Sequence, residues 1–137
     1  MVVDTDVVAA ALLGEETRGA EATRLLAAAS TLLAPAHWKA ELANVVWKAA
    51  VFHGIAIERC LELLQLAESL PISSVDVAEL WRGAVGRAIS AQHPAYDTLF
   101  VELAVRERMP LASYDAALRR RFPDVVRTPA VLLRRGR

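Results

Sequence analysis

Four acids spread along the chain, Asp4, Glu41, Asp97 and Asp115, carry most of the chemistry that the sequence offers. Carboxylates are hard oxygen donors. Gathered together, they select Mg2+ or Mn2+ over zinc or copper. Each acid also has an ordinary explanation. Asp97 and Asp115 stand beside expected helix starts, where Asp is a favoured N-cap, and Asp6 would cap the first helix in the same way. Glu41 would be a solvated helix residue paired with Lys48. Two of the acids fit that explanation poorly. Asp4 directly follows the apolar pair Val2-Val3, where a covered strand should end, and a charge there is costly unless paired or bound to a metal. Glu41 lies at the edge of an apolar helical stripe, beside Trp38 and Val45, and so faces inward. No lysine or arginine adjoins Asp4, Asp97 or Asp115 in sequence. The histidines, His37, His53 and His93, lack the paired spacing of a zinc motif. His37 and His53 read as surface or helix-end residues and His93 as a loop residue, with a minor role near the acids open to His93.

The elements that must position these acids alternate. Val2-Val3 reads as a brief buried strand. Val7 to Leu13 is helical in pattern and stops at Gly14. A second helix is expected from Arg18 to Ala29, then a strand from Thr31 to Ala34 bounded by Pro35. The strongest helix signal runs from His37 to Phe52, with Trp38, Leu42, Val45, Val46 and Ala49 on one stripe and Trp47 and Val51 on the opposite face. Further helices are expected at Ile57 to Ser69, Val77 to Ala91, Tyr96 to Arg108 and Ala116 to Phe122. Strands are expected at Pro71 to Val75, Leu111 to Ser113 and Val125-Val126. Short strands alternating with helices imply a parallel sheet covered on both faces, with ligands bound at the carboxyl ends of its strands. Asp4 and Asp115 would then project from the same edge.

At 137 residues the chain suits one domain, and 55% hydrophobic with 23% charged residues is too apolar for disorder. The 16 basic and 16 acidic residues balance, so bulk charge does not point to nucleic acid and does not exclude it. Arginines cluster at Arg119-Arg120-Arg121 and at Arg134, Arg135 and Arg137, as either solvated charge or phosphate contacts. The single cysteine, Cys60, allows no disulfide within the chain and suits a reducing compartment. With no signal-peptide pattern and no apolar run near the ~18 residues of a membrane helix, a cytoplasmic protein is expected.

Taken in order, the acids and their surroundings resemble the PIN-domain family. Val3-Asp4-Thr5-Asp6-Val7-Val8 is similar to its first motif, a strand ending in Asp. Pro35 to Asn44 resembles the second, with Glu41 on a helix after a strand and a proline. Tyr96-Asp97 followed by Thr98 to Ala104 resembles the third, and Pro110 to Asp115, with Ser113 two residues before Asp115, the fourth. Each motif is weak alone, whereas the ordered set spans nearly the whole chain and is most similar to the VapC toxin group. Two positions depart from the pattern. Asp6 stands where the family usually has Ser, Thr or Asn, and Ser113 stands where Thr is commoner.

The resemblance implies a three-layer α/β/α PIN-like fold over residues 1–137, with a central parallel sheet of four or five short strands. It implies a Mg2+- or Mn2+-dependent endoribonuclease, the toxin of a type II toxin-antitoxin pair, that hydrolyses RNA with a metal-activated water. Asp4, Asp97 and Asp115 would be metal ligands, Glu41 would position or activate the water, and Ser113 would orient Asp115 or the water. The implied partners are RNA, a VapB-type antitoxin and a second copy of the chain, with Trp47, Val51 and Trp81 available for interfaces unless a neighbouring helix covers them. Two other readings stand beside it. A phosphohydrolase with an aspartyl nucleophile would use Asp4-Thr5-Asp6, but Val7-Val8 follow where it wants Gly and Thr, and a later lysine is lacking. A non-catalytic PIN-like module that only binds RNA or protein would have lost a core acid, and all four are present.

Overall fold

A computed structural model of the protein describes residues 1–135. Five parallel strands form one sheet: β1 (Val2–Val3), β2 (Leu32–Pro35), β3 (Ile72–Val75), β4 (Leu111–Ala112) and β5 (Val126–Arg127), in the order β3-β2-β1-β4-β5. Eight helices accompany them: α1 (Thr5–Leu13), α2 (Glu16–Ala28), α3 (Trp38–His53), α4 (Ile57–Ser69), α5 (Val77–Ala91), α6 (Ala95–Glu107), α7 (Ala116–Arg121) and α8 (Pro129–Arg135). The layers are α/β/α. Helix α6 lies across β2, β1 and β4 with α5 packed on it, while α1 to α4 and α8 form the other helical group.

Covering the sheet on both faces explains its composition. Both residues of β1 and both of β4 are buried, so these strands read as apolar runs rather than alternating patterns. The middle of helix α6 is also enclosed on all sides, although both its ends are exposed. Every residue from Thr98 to Ala104 is buried, Glu102 among them. That acid is matched by arginines. Arg87 Nε meets Glu102 Oε2 at 2.7 Å and Arg106 Nε meets Oε1 at 2.6 Å. Burial pushes the Glu102 carboxyl up, but the hydrogen bonds and charges of Arg87 and Arg106 outweigh it and hold the group below its ordinary range. Gly83 leaves room for this carboxylate, since a Cβ there would overlap it.

Several expected boundaries move by a residue or more. Helix α1 begins at Thr5 rather than Val7, because Asp4 already has the extended backbone of an N-cap and its carbonyl accepts from Val7 and Val8. Helix α2 starts at Glu16, and β5 takes Arg127 in place of Val125. Helix α8 was not anticipated, although Thr128-Pro129 is a helix-start signal, with Thr128 Oγ1 facing the Val131 amide at 3.4 Å. Arg134 is exposed on α8, and Arg137 lies outside the described residues. The tryptophans divide. Trp38 is buried with its indole N–H donated to Ser74 Oγ at 3.0 Å, whereas Trp47 and Trp81 are 53% and 57% exposed, so no helix of the described chain covers them. Among the described residues, no helix is long and apolar enough to cross a membrane.

Candidate metal centre

The parallel register of β1 and β4 builds the floor of the site. Val3 sits opposite Ala112, and the Asp4 amide donates to the Ala112 carbonyl at 3.0 Å, so the next residues of both strands emerge together. Those residues are Asp4 and Ser113, and the Ser113 hydroxyl donates to Asp4 Oδ2 at 2.6 Å. The same oxygen of Ser113 accepts from the Asp115 amide at 3.0 Å. Asp4 and Asp115 thus leave the same edge of the sheet, as expected from the alternating elements.

From that edge an open cleft of about 300 Å3 is lined by Asp4, Thr5, Asp6, Glu41, Asn44, Val45, Asp97 and Asp115. The four acids singled out from sequence all border it, and Asp6 joins them. Ser113 is fully buried beneath. Each carboxylate has one oxygen pinned. Asp4 Oδ2 is held by Ser113, Glu41 Oε2 accepts from Thr5 Oγ1 at 2.5 Å, and Asp6 Oδ2 accepts from the Tyr114 amide at 2.9 Å. Asp115 Oδ1 accepts from the Leu118 amide at 2.8 Å, and Asp97 Oδ2 lies 2.9 Å from His93 Nε2. The expected capping role is therefore real for Asp115 but not for Asp97. Pro94 is the N-cap of α6, which leaves Asp97 in the first turn, facing the cleft. Asp6 likewise bonds across to Tyr114 instead of capping α1. Glu41 forms no pair with Lys48. Its neighbours are Thr5 and His37, whose Nε2 stands 3.5 Å from Oε1 without hydrogen-bond geometry.

Crowding like charges away from water has the expected electrostatic result. Burial raises the Asp4 carboxyl well above its ordinary range, and the charges of Asp6, Glu41 and Asp97 add to this against the Ser113 hydrogen bond. Burial also takes Asp6 up to about 6, opposed by the Tyr114 and Ser113 hydrogen bonds. Asp97 is raised by burial, with His93 opposing and Asp115 and Glu41 reinforcing. Among the described residues, no lysine or arginine lines the cleft to balance these charges. The Asp6 Oδ1 atom is buried without a partner. Carboxylates that are uncompensated and partly desolvated suit a hard divalent cation, and those that converge most tightly are Asp97 and Asp115, joined by the His93 ring, while Asp4, Asp6 and Glu41 border the same cleft outside that group. A donor atom from each of Asp97, Asp115 and His93 lies within 4.8 Å of the other two.

His93 lies in the loop between α5 and α6, as its spacing predicts, with its ring turned onto Asp97. His37 begins α3 as expected, although its ring is largely buried, 5.0 Å from that of Phe100. Thr5 was missed. Only its place inside the first motif could have flagged it. Of the arginine run on α7, Arg119 donates to the Tyr114 carbonyl at 2.7 Å, while Arg120 and Arg121 are exposed. Arg18 stacks over the Tyr114 ring, 5.1 Å from its centroid.

The three-layer fold thus gathers these carboxylates at the carboxyl edge of its parallel sheet, where ligands bind in such folds. The sequence matches the PIN domain family over residues 1–121, and the chain belongs to that family. Among solved structures it is similar to VapC20 of Mycobacterium tuberculosis, a sarcin-ricin loop cleaving toxin. The TM-score is 0.66 at 16% identity, over 85% of this chain and 91% of that one. At that identity the likeness is one of fold. No curated protein matches the sequence.

Proposed function

We propose that the protein is a divalent-metal-dependent endoribonuclease of the VapC type, the toxin of a toxin-antitoxin pair, formed as one PIN domain over residues 1–137. The observation that carries this reading is the cleft itself: five carboxylates, each with one oxygen pinned, and no lysine or arginine among the described residues that line it. Asp4, Asp97 and Asp115 would hold Mg2+ or Mn2+, which supplies Lewis acidity to a scissile phosphate and makes nearby water more acidic. Glu41, fixed through Oε2 by Thr5, has Oε1 available to orient water and take its proton. Ser113 keeps Asp4 and Asp115 in register from below. Asp6 adds negative charge beside Asp4. VapC20 is a sarcin-ricin loop cleaving toxin, and the shared fold and family support RNA as the substrate class proposed here.

The test is cleavage of RNA by purified protein, with and without EDTA, beside Asp4→Asn. Loss of cleavage in both cases supports the reading. Cleavage that survives EDTA sinks the metal role, and cleavage that survives Asp4→Asn sinks the assignment of the cleft. Metal-bound but inert wild-type protein would favour a module that only binds RNA or protein. The remaining expectations are a cytoplasmic location, a second copy of the chain and a VapB-type antitoxin. Exposed Trp47, Val51 and Trp81 support the two protein partners, because large apolar side chains on the surface are enriched at interfaces.

A further inference from the structure

We infer that His93 is a positioning residue that holds the Asp97 carboxylate in the orientation a divalent ion requires; this rests on the metal-dependent reading above. Asp97 differs from its neighbours in the cleft. Asp4 is held by the fully buried Ser113, Glu41 by the buried Thr5, and Asp6 and Asp115 by backbone amides. The Asp97 side chain is 36% exposed on the first turn of α6, where it caps nothing. Among the described residues, its side-chain hydrogen-bond partner is His93, with Nε2 2.9 Å from Oδ2.

The ring is placed by its backbone. Gln92 closes α5 in the left-handed region at φ 50°, unusual for a residue with a Cβ. The His93 amide donates to the Ala88 carbonyl at 3.1 Å, and Pro94 then starts α6. This corner leaves His93 one helical turn before Asp97 with a side chain only 9% exposed. An exposed aspartate otherwise samples several rotamers. A donor that cannot move removes that freedom and turns one oxygen toward Asp115, within whose reach His93 and Asp97 both lie. His37 serves as a contrast. It precedes Glu41 by the same four residues yet makes no hydrogen bond to it, and Thr5 holds Glu41 instead.

The test titrates Mn2+ calorimetrically into the metal-free full chain, as wild type, His93→Leu, His93→Gln and His93→Asn, with thermal unfolding in chelator as the control for folding. Losing such a supporting donor weakens metal affinity by about tenfold or more. His93→Leu is expected to show that loss with an unchanged metal-free midpoint. The Gln side chain can place an amide N–H where Nε2–H stood and should recover most of the affinity. Asn is too short to do so, should bind as weakly as Leu, and takes its place if Leu fails to fold. Wild-type affinity in Leu or Asn overturns the inference and leaves the metal reading standing. Gln as weak as Leu overturns the donor role and makes the ring itself a ligand. Wild-type protein that binds no Mn2+ overturns the metal reading, and the role of His93 with it.

Discussion

Ser113 Oγ donates to Asp4 Oδ2 across 2.6 Å, although 109 residues separate the two in the chain. The same hydroxyl accepts from the Asp115 amide, so one buried side chain ties two motifs together. Ser113→Ala should cost about 1–3 kcal/mol of stability, since it leaves the Asp115 amide and the Asp4 carboxylate short of a partner. Urea unfolding measures this. RNA cleavage should fall at least tenfold, and Ser113→Thr, which keeps the hydroxyl, should retain much of it.

Asp4→Asn separates stability from activity. Removing this charge relieves repulsion from Asp6, Glu41 and Asp97. In chelator, the thermal midpoint of Asp4→Asn should therefore exceed that of wild type, while cleavage is lost. A lower midpoint would mean that Asp4 contributes more to packing than to the charge of the cleft.

The raised carboxyls of Asp4, Asp6 and Asp97 set the pH dependence. Asp6 goes from 3.8 to about 6 on folding. Between those values the folded chain binds more protons than the unfolded chain, so stability falls as pH rises. The contribution is full below pH 3.8 and is lost as pH climbs through 6. Asp4 and Asp97 act in the same direction. Glu102, held low, acts in the opposite sense, with its stability lost only as pH falls into the acid range. In EDTA the thermal midpoint should drop from about pH 5 to about pH 7.5, and Mn2+ should reverse the drop at the upper end.

Gly83→Ala should destabilise by about 1–3 kcal/mol, because the added methyl displaces a buried carboxylate that two arginines hold in place. Chemical denaturation measures the loss. RNA cleavage per folded molecule should stay near wild type, as Glu102 is absent from the cleft lining.

Trp47→Glu places a charge on an exposed apolar face shared with Val51 and Phe52. If that face joins two copies, light scattering should show the mass fall to that of one chain. An unchanged mass would remove Trp47 from the contact.

The acids of the cleft were legible because each sits at a fixed offset from a strand end or helix start. Asp4 follows β1, Glu41 lies in the first turn of α3 and Asp115 follows β4. Strand ends are short-range features, so sequence shows them. Which oxygen is pinned, and by what, is a matter of distant contacts. Thr5 on Glu41 and Tyr114 on Asp6 depend on the register of β1 against β4 and on the approach of α3, and no local pattern encodes those. His93 was read as a loop residue because spacing identifies a loop but not the direction of a ring. Glu102 went unnoticed because its arginine partners, Arg87 and Arg106, include one from another helix.

Placing β1 and β4 side by side in the middle of the sheet also sets the order of assembly. The first strand must wait for a segment made more than a hundred residues later before its flank is filled. Closing so long a loop is entropically expensive and slows folding. A nascent chain still short of Ser113 and Asp115 has an unfinished cleft, so the site assembles only after those residues have joined the first strand.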